Sequence, residues 1–180
     1  MHAKTRYNIS LAKRKGVEIS FSTKEEDIKH FLDLVGQTAK RNQINSHSAA
    51  HYRLLWKILL KHKVGQLCIA KVAEQVVAVN IVVKFGSAVT YLHGASDYNS
   101  RKYMAPHLLQ WEIIKQAKEQ GYKIYDFWGI APEDGSKVGW AGFTRFKKGF
   151  GGRVIKSPGA HNFIYDKSWY GVYSLMRKLR

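Results

Sequence analysis

The chain has 180 residues, with 30 Lys and Arg against 13 Asp and Glu, a net charge of +17. That length allows one domain with a real core and is marginal for two, and the charge calls for an anionic partner: nucleic acid, a phosphorylated substrate or an anionic membrane surface. The lone cysteine, Cys68, excludes an intrachain disulfide, and no run approaches the roughly 18 apolar residues of a membrane span. With no apolar core of signal-peptide length at the N-terminus, the reading is cytoplasmic.

Residues 3–15 read as a basic helix with Tyr7, Ile9, Leu11 and Ala12 as apolar positions, stopped at Gly16. Val17-Glu18-Ile19-Ser20-Phe21 alternates as a strand does. Ser22 or Thr23 then caps a helix whose first turn holds Glu25, Glu26 and Asp27, where the helix dipole favours acids. A second helix is expected from about Ser48 to Lys63, with Tyr52, Leu55, Trp56, Leu59 and Leu60 inside. Strands follow at 66–73, 76–85 and 88–94, the first two forming a hairpin through Glu74-Gln75. A long helix runs from about Arg101 to Gln120, ended by Gly121. Tyr122–Trp128 reads as a strand, 129–139 as a loop, 140–148 as a short helix and 153–157 as a strand. The tail 167–179 reads as a last helix packed on the sheet, with an anionic membrane as the alternative resting place.

The order is β-α-α-β-β-β-α-β-α-β behind a basic helix. It predicts one α+β domain around a central mixed sheet. Residues 1–16 form the leading helix and 17–180 the domain proper. This is the element order of the GNAT acyltransferase fold, in which the ligand lies where two central strands splay apart.

The acid-poor stretches are the strongest local signal. Residues 1–15, 34–73 and 135–156 contain no Asp or Glu. Within the last of them, Trp140 to Gly152 packs Arg145, Lys147 and Lys148 among Phe143, Phe146, Phe150 and four glycines. Glycines let a backbone come close to a ligand, and Arg and Lys hold phosphate. His47 and His51 stand four apart but lack a third ligand, so no metal site is expected.

Five segments carry a resemblance. They are Lys4–Ile9 with Lys15-Gly16-Val17, then Tyr91–Ser96, Met104–Glu112, Tyr125–Ile130 and Trp140–Gly152. In this order they resemble the C-terminal half of the FemA/FemB/FemX peptidyltransferases, which move an amino acid from aminoacyl-tRNA to the stem peptide of a peptidoglycan precursor. Family members usually carry two such domains in tandem, and this chain has room for one. The resemblance implies an aminoacyl-tRNA donor and a UDP-MurNAc-pentapeptide or lipid-linked acceptor. It also implies a further GNAT-like half as partner.

The resemblance also implies the site. Lys147, following Phe146, is the cation near the transition state, where a tetrahedral oxyanion forms as a stem-peptide amine attacks the aminoacyl ester. Arg101 and Tyr103, at the entry to the long helix, contact the nucleotide-sugar part of the precursor. Tyr125, Asp126 and Trp128 are read along one strand with Phe127 on its other face, Tyr125 and Trp128 as substrate-binding. Asp126, an acid in an apolar strand, needs a partner such as Arg145 or Arg101. Arg145 is also a substrate-binding cation. CoA-using relatives have a Gly-rich turn where this chain has Ser100-Arg101-Lys102-Tyr103-Met104-Ala105, so no CoA cofactor is expected. Two alternatives stand: a CoA-dependent N-acyltransferase, and a non-catalytic half-domain that binds RNA or precursor.

Overall fold

A computed structural model describes residues 1–42, 46–132, 138–156, 158 and 161–178. Its frame is a five-stranded sheet in sequence order, β1 (Val17–Ser22), β2 (Gly65–Val72), β3 (Gln75–Phe85), β4 (Ala88–Ser96) and β5 (Ile124–Asp126). The first four strands are antiparallel neighbours, and β5 joins β4 in parallel, so the sheet is mixed. The β2–β3 hairpin forms as its spacing requires. Its turn is entered through Ala73, at φ 51.

Each face of the sheet is covered by helices. One carries α1 (Ala3–Arg14) and α4 (Ala105–Glu119). Ile9 and Ala12 of α1 and Leu108, Leu109, Ile113 and Ala117 of α4 share a core there with Val82 and Val89. The other face carries α2 (Ile28–Asn42) and α3 (Ala49–Lys61), whose Ile28, Phe31, Leu34, Trp56 and Leu59 pack on Leu67, Ile69, Val79 and Ile81. These are the i, i+3, i+4 stripes of amphipathic helices. The basic helix α1 is therefore part of the core layer, tied to α4 by Lys13–Glu112 at 3.3 Å. Cys68 is fully buried in β2, and burial pushes its thiol far up.

Several boundaries differ from the sequence expectation. Ser22 does not begin α2; its hydroxyl donates to Asp27 and accepts from the Lys24 amide, holding Glu25–Asp27 in a turn before the helix starts at Ile28. Residues 101–103 form a separate 3-10 turn, and Met104, at φ 53, breaks it from α4. A non-glycine residue in the left-handed region costs about 1–2 kcal/mol, so this kink is imposed by the packing around it. The strand expected over 122–128 shrinks to three residues. The strand expected near 153–157 is absent over its described residues 153–156: Gly151 and Gly152, at φ 86 and 91, turn the chain away, and Val154 and Ile155 are exposed.

The last helix forms as α6 (Lys167–Lys178), capped by the Asp166 carboxylate on the amides of Ser168 and Trp169. It does not pack on the sheet as expected. Trp169, Val172, Tyr173, Leu175 and Met176 are all exposed. The sheet's two faces are already covered by α1, α4, α2 and α3.

Gly65 tests the packing of α3 on β2. A Cβ there would lie 2.6 Å from Leu59 Cβ and 2.9 Å from Trp56 Cζ3. Gly65→Ala overpacks a rigid contact and should cost about 1–3 kcal/mol, read as a lower urea midpoint at unchanged slope.

Candidate active site

β4 pairs with β5 only through Ala88–Ile124, Val89–Tyr125 and Thr90–Asp126. Beyond that point β4 runs on to Ser96 with no partner on this side among the described residues, and the sheet opens into a cleft. A β-bulge lies just past the opening. Val82 pairs with Tyr91 but Ile81 pairs with His93, so Leu92 is the extra residue. The bulge turns Leu92 and Ala95 to the α2/α3 face, with His93 edge-on to Tyr52. It leaves Tyr91 and Gly94 together on the α4 face. A Cβ on Gly94 would overlap the Tyr91 hydroxyl and come within 2.8 Å of Asn80 Oδ1. Only glycine admits the phenol here.

α5 (Ala141–Gly149) lies across the mouth of this cleft. The Lys147 ammonium donates to the Gly129 carbonyl at 2.7 Å, just past β5, and stands 5.6 Å from the centre of the Tyr91 ring on β4. One side chain thus touches both lips of the opening. The Phe143 ring covers it at 5.2 Å. Burial lowers the Lys147 pKa to about 8, with Asp126 pulling the other way. The group stays largely protonated at neutral pH, but as a cation stripped of water. Such a charge acts far more strongly on a nearby negative atom than one in solvent.

The walls are polar at buried points. Gln110 of α4, 1% exposed, accepts a hydrogen bond from the Tyr125 hydroxyl, and the same carboxamide stands next to the Tyr91 hydroxyl. Burial raises the pKa of both phenols, that of Tyr91 to about 12. His107, edge-on to Phe146 at 5.0 Å and paired with Asn8 of α1, has its pKa lowered by burial. A pocket of about 180 Å³ lies against these groups, lined by Ala78, Asn80, Tyr91, Gly94, Pro106 and Phe146 among others.

The structure gathers Lys147, Phe146 and Tyr125 around the cleft, leaves Trp128 and Arg145 exposed, and sets Arg101 and Tyr103 apart from it. Tyr125 and Phe127 face inward together, their rings 5.0 Å apart, while Asp126 and Trp128 point out. This corrects the placement of Phe127 on the opposite face from Tyr125, and it is what strict alternation along an extended chain demands. Asp126 is exposed and makes no ion pair with Arg145 or Arg101 among the described residues; its carboxylate accepts the Trp128 amide at 2.7 Å. That short turn holds Trp128 at φ 63 and 61% exposed, at the point where the chain swings the Gly129 carbonyl toward Lys147. Arg145 is exposed on α5. Arg101 lies on the Tyr98 ring at 4.3 Å, outside the cleft, and the Tyr103 ring is covered by Lys102 at 5.2 Å. Tyr91, Gly94, Asn80, Gln110 and His107 were not singled out from sequence as site residues. Only the bulge brings the first two together, and a bulge leaves no mark in the residue pattern.

No group of three or more His, Cys, Asp or Glu among the described residues could hold a metal ion. His47 and His51 stack at 4.1 Å as a surface pair.

A model of the FemAB family matches residues 1–73 and 61–178. The chain belongs to the FemAB family. Aminoacyltransferase FemA of Staphylococcus epidermidis is 30% identical over 92 residues, which are 51% of this chain and 22% of that protein. Among solved structures, FemX superposes with a TM-score of 0.74 at 18% identity, covering 83% of this chain and 54% of that one. A ribosomal-protein-alanine N-acetyltransferase from Brucella melitensis biovar Abortus 2308 superposes at 0.56 with 17% identity, over 82% of this chain and 99% of its own. The fold is thus a single GNAT-like α+β domain. In this FemAB chain the end of the β4–β5 ladder, the bulge and α5 meet at Lys147 and Tyr91.

Gly94→Ala tests that meeting point. The added methyl should push the Tyr91 ring off Lys147 and move the lysine pKa from about 8 back toward its ordinary value. Titration of the Lys147 ammonium by NMR, with wild type as reference, reads this directly.

Proposed function

We propose that this FemAB chain is the transfer domain of an aminoacyltransferase that moves an amino acid from aminoacyl-tRNA to the stem peptide of a peptidoglycan precursor. The observation that carries the reading is the Lys147 ammonium, half-buried and bridging both lips of the cleft. The acceptor amine attacks the ester carbonyl of the donor, and a tetrahedral oxyanion forms. Lys147 has three donors, one of them spent on Gly129; another meets the oxyanion. Removing such a donor commonly costs on the order of 100- to 1000-fold in rate. The breaking C–O bond releases the tRNA hydroxyl, which takes up the proton lost by the amine.

Phe146 walls the pocket at the cleft, and the Tyr125 hydroxyl holds Gln110 next to Tyr91, another of its lining residues. Trp128 offers an exposed ring face on which a nucleobase can stack. Arg145, Arg101 and Tyr103 lie outward of these, where phosphates of the tRNA end and of the precursor would run. The glycine-free turn at 100–105 supports a reaction without CoA. The aligned chain is about half the length of FemX, so a further domain is the proposed source of the remaining precursor contacts.

The test is a transfer assay with charged tRNA and UDP-linked muropeptide, run with and without the other half of a FemX-type protein. Lys147→Ala should abolish transfer while leaving precursor binding intact; equal activity in the two proteins would overturn the assignment. Binding of acetyl-CoA by calorimetry would favour the CoA-dependent alternative. The pH profile is a separate check. The rate should rise as the acceptor amine loses its proton and fall as pH passes about 8, where Lys147 becomes neutral. In Lys147→Arg the guanidinium does not titrate in this range, so the upper limb should vanish from whatever activity remains.

A further inference from the structure

We infer that α6, with the aromatic segment before it, is an interfacial anchor that seats the protein on an anionic lipid bilayer. This goes beyond the transfer reading and does not depend on Lys147.

Three observations meet at one place. Trp169, Val172, Tyr173 and Met176 recur at i, i+3, i+4 and i+7, so they form one stripe, with Leu175 beside Val172. That stripe faces away from the protein. The only described residues of α6 that are even partly covered, Tyr170 and Ser174, lie beside the stripe and not in it; the Tyr170 ring is 6.3 Å from that of Tyr173, and its hydroxyl accepts from Asn162 at 2.8 Å. An amphipathic helix normally covers its own protein with the apolar side; here that side is offered outward.

The stripe is not alone. Phe163 and Tyr165 are 80% and 92% exposed just before the helix. Trp and Tyr rings are the side chains that settle at the boundary between headgroups and acyl chains.

Charge selects the occupant. From 138 to 180 the sequence holds nine Lys and Arg and one acid, Asp166, which is used as the helix cap. Lys167 and Arg177 bracket the stripe and are exposed. A second copy of a chain carrying +17 would be repelled. Nucleic acid would meet the cations, but Val172, Leu175 and Met176 present nothing that a phosphate or a base edge can bond. Anionic lipid satisfies both halves: headgroups for the cations, acyl chains for the stripe.

The test is flotation of the full chain with vesicles of phosphatidylcholine alone or mixed with phosphatidylglycerol. The protein should float with the anionic vesicles only, and added salt should weaken this. Trp169→Ser with Met176→Ser should lower partitioning by at least about tenfold. Neither residue is in the core, so the far-UV spectrum should not change. Lys167→Gln and Arg177→Gln should each cost about fivefold. Lys147→Ala should float like wild type, which separates this inference from the transfer reading. Absence of flotation overturns it. So does loss of tRNA binding in the Trp169/Met176 variant, which would assign the stripe to nucleic acid. A concentration-dependent dimer abolished by the same variant would assign it to a second copy and overturn it too.

Discussion

Three residue pairs hold β4 to β5, and the site depends on there being no more. A longer ladder would close the sheet, and Lys147 would have no gap to bridge. The short ladder is set from both sides. On β5, the chain leaves extended geometry at Trp128, whose amide is drawn back onto Asp126. On β4, the bulge at Leu92 increases the local twist and turns the strand from its neighbour. Opening a sheet exposes backbone donors and acceptors, which costs free energy unless something else meets them. Lys147 meets one of them, the Gly129 carbonyl.

The electrostatics follow from this geometry. A chain with so many cations has most of them in water, where each is screened and individually weak. Lys147 differs from its neighbour Lys148 because Tyr91 and Phe143 stand against it and exclude solvent. The aromatic faces partly replace the lost hydration of the ammonium. The remaining positive charge is a diffuse field, and Lys147, desolvated at the cleft, is a point where charge can act on one atom.

Much of the fold was legible in the sequence, because apolar periodicity and turn residues report local geometry. The stripes of α3 and α4 and the three central strands fall within a few residues of where the pattern puts them. Basic α1 was legible as a helix, but not as a core layer, since its few apolar positions look too sparse to anchor it. The errors have two causes. Short-range side-chain bonds replace the regular element where Ser22 binds the Asp27 carboxylate instead of capping a helix and where Asp126 takes the Trp128 amide, while at Met104 the break sits against the core. At the site, Lys147 and Phe146 could be picked out by resemblance and Tyr125 by its strand. The pairing of Tyr91 with Gly94 could not, because two residues three apart share a face of a strand only when a bulge lies between them.

The buried position of Cys68 has a practical side. A thiol with no exposed surface and a strongly raised pKa offers almost no thiolate to oxidants or alkylating reagents. As it is the sole cysteine in the sequence, the chain is expected to react with maleimides only very slowly. A cysteine introduced at the exposed Ser168 would then be the one reactive position. A spin label or fluorophore could be placed there without first stripping the protein of anything, and the depth of α6 in a bilayer could be read on an otherwise unaltered molecule.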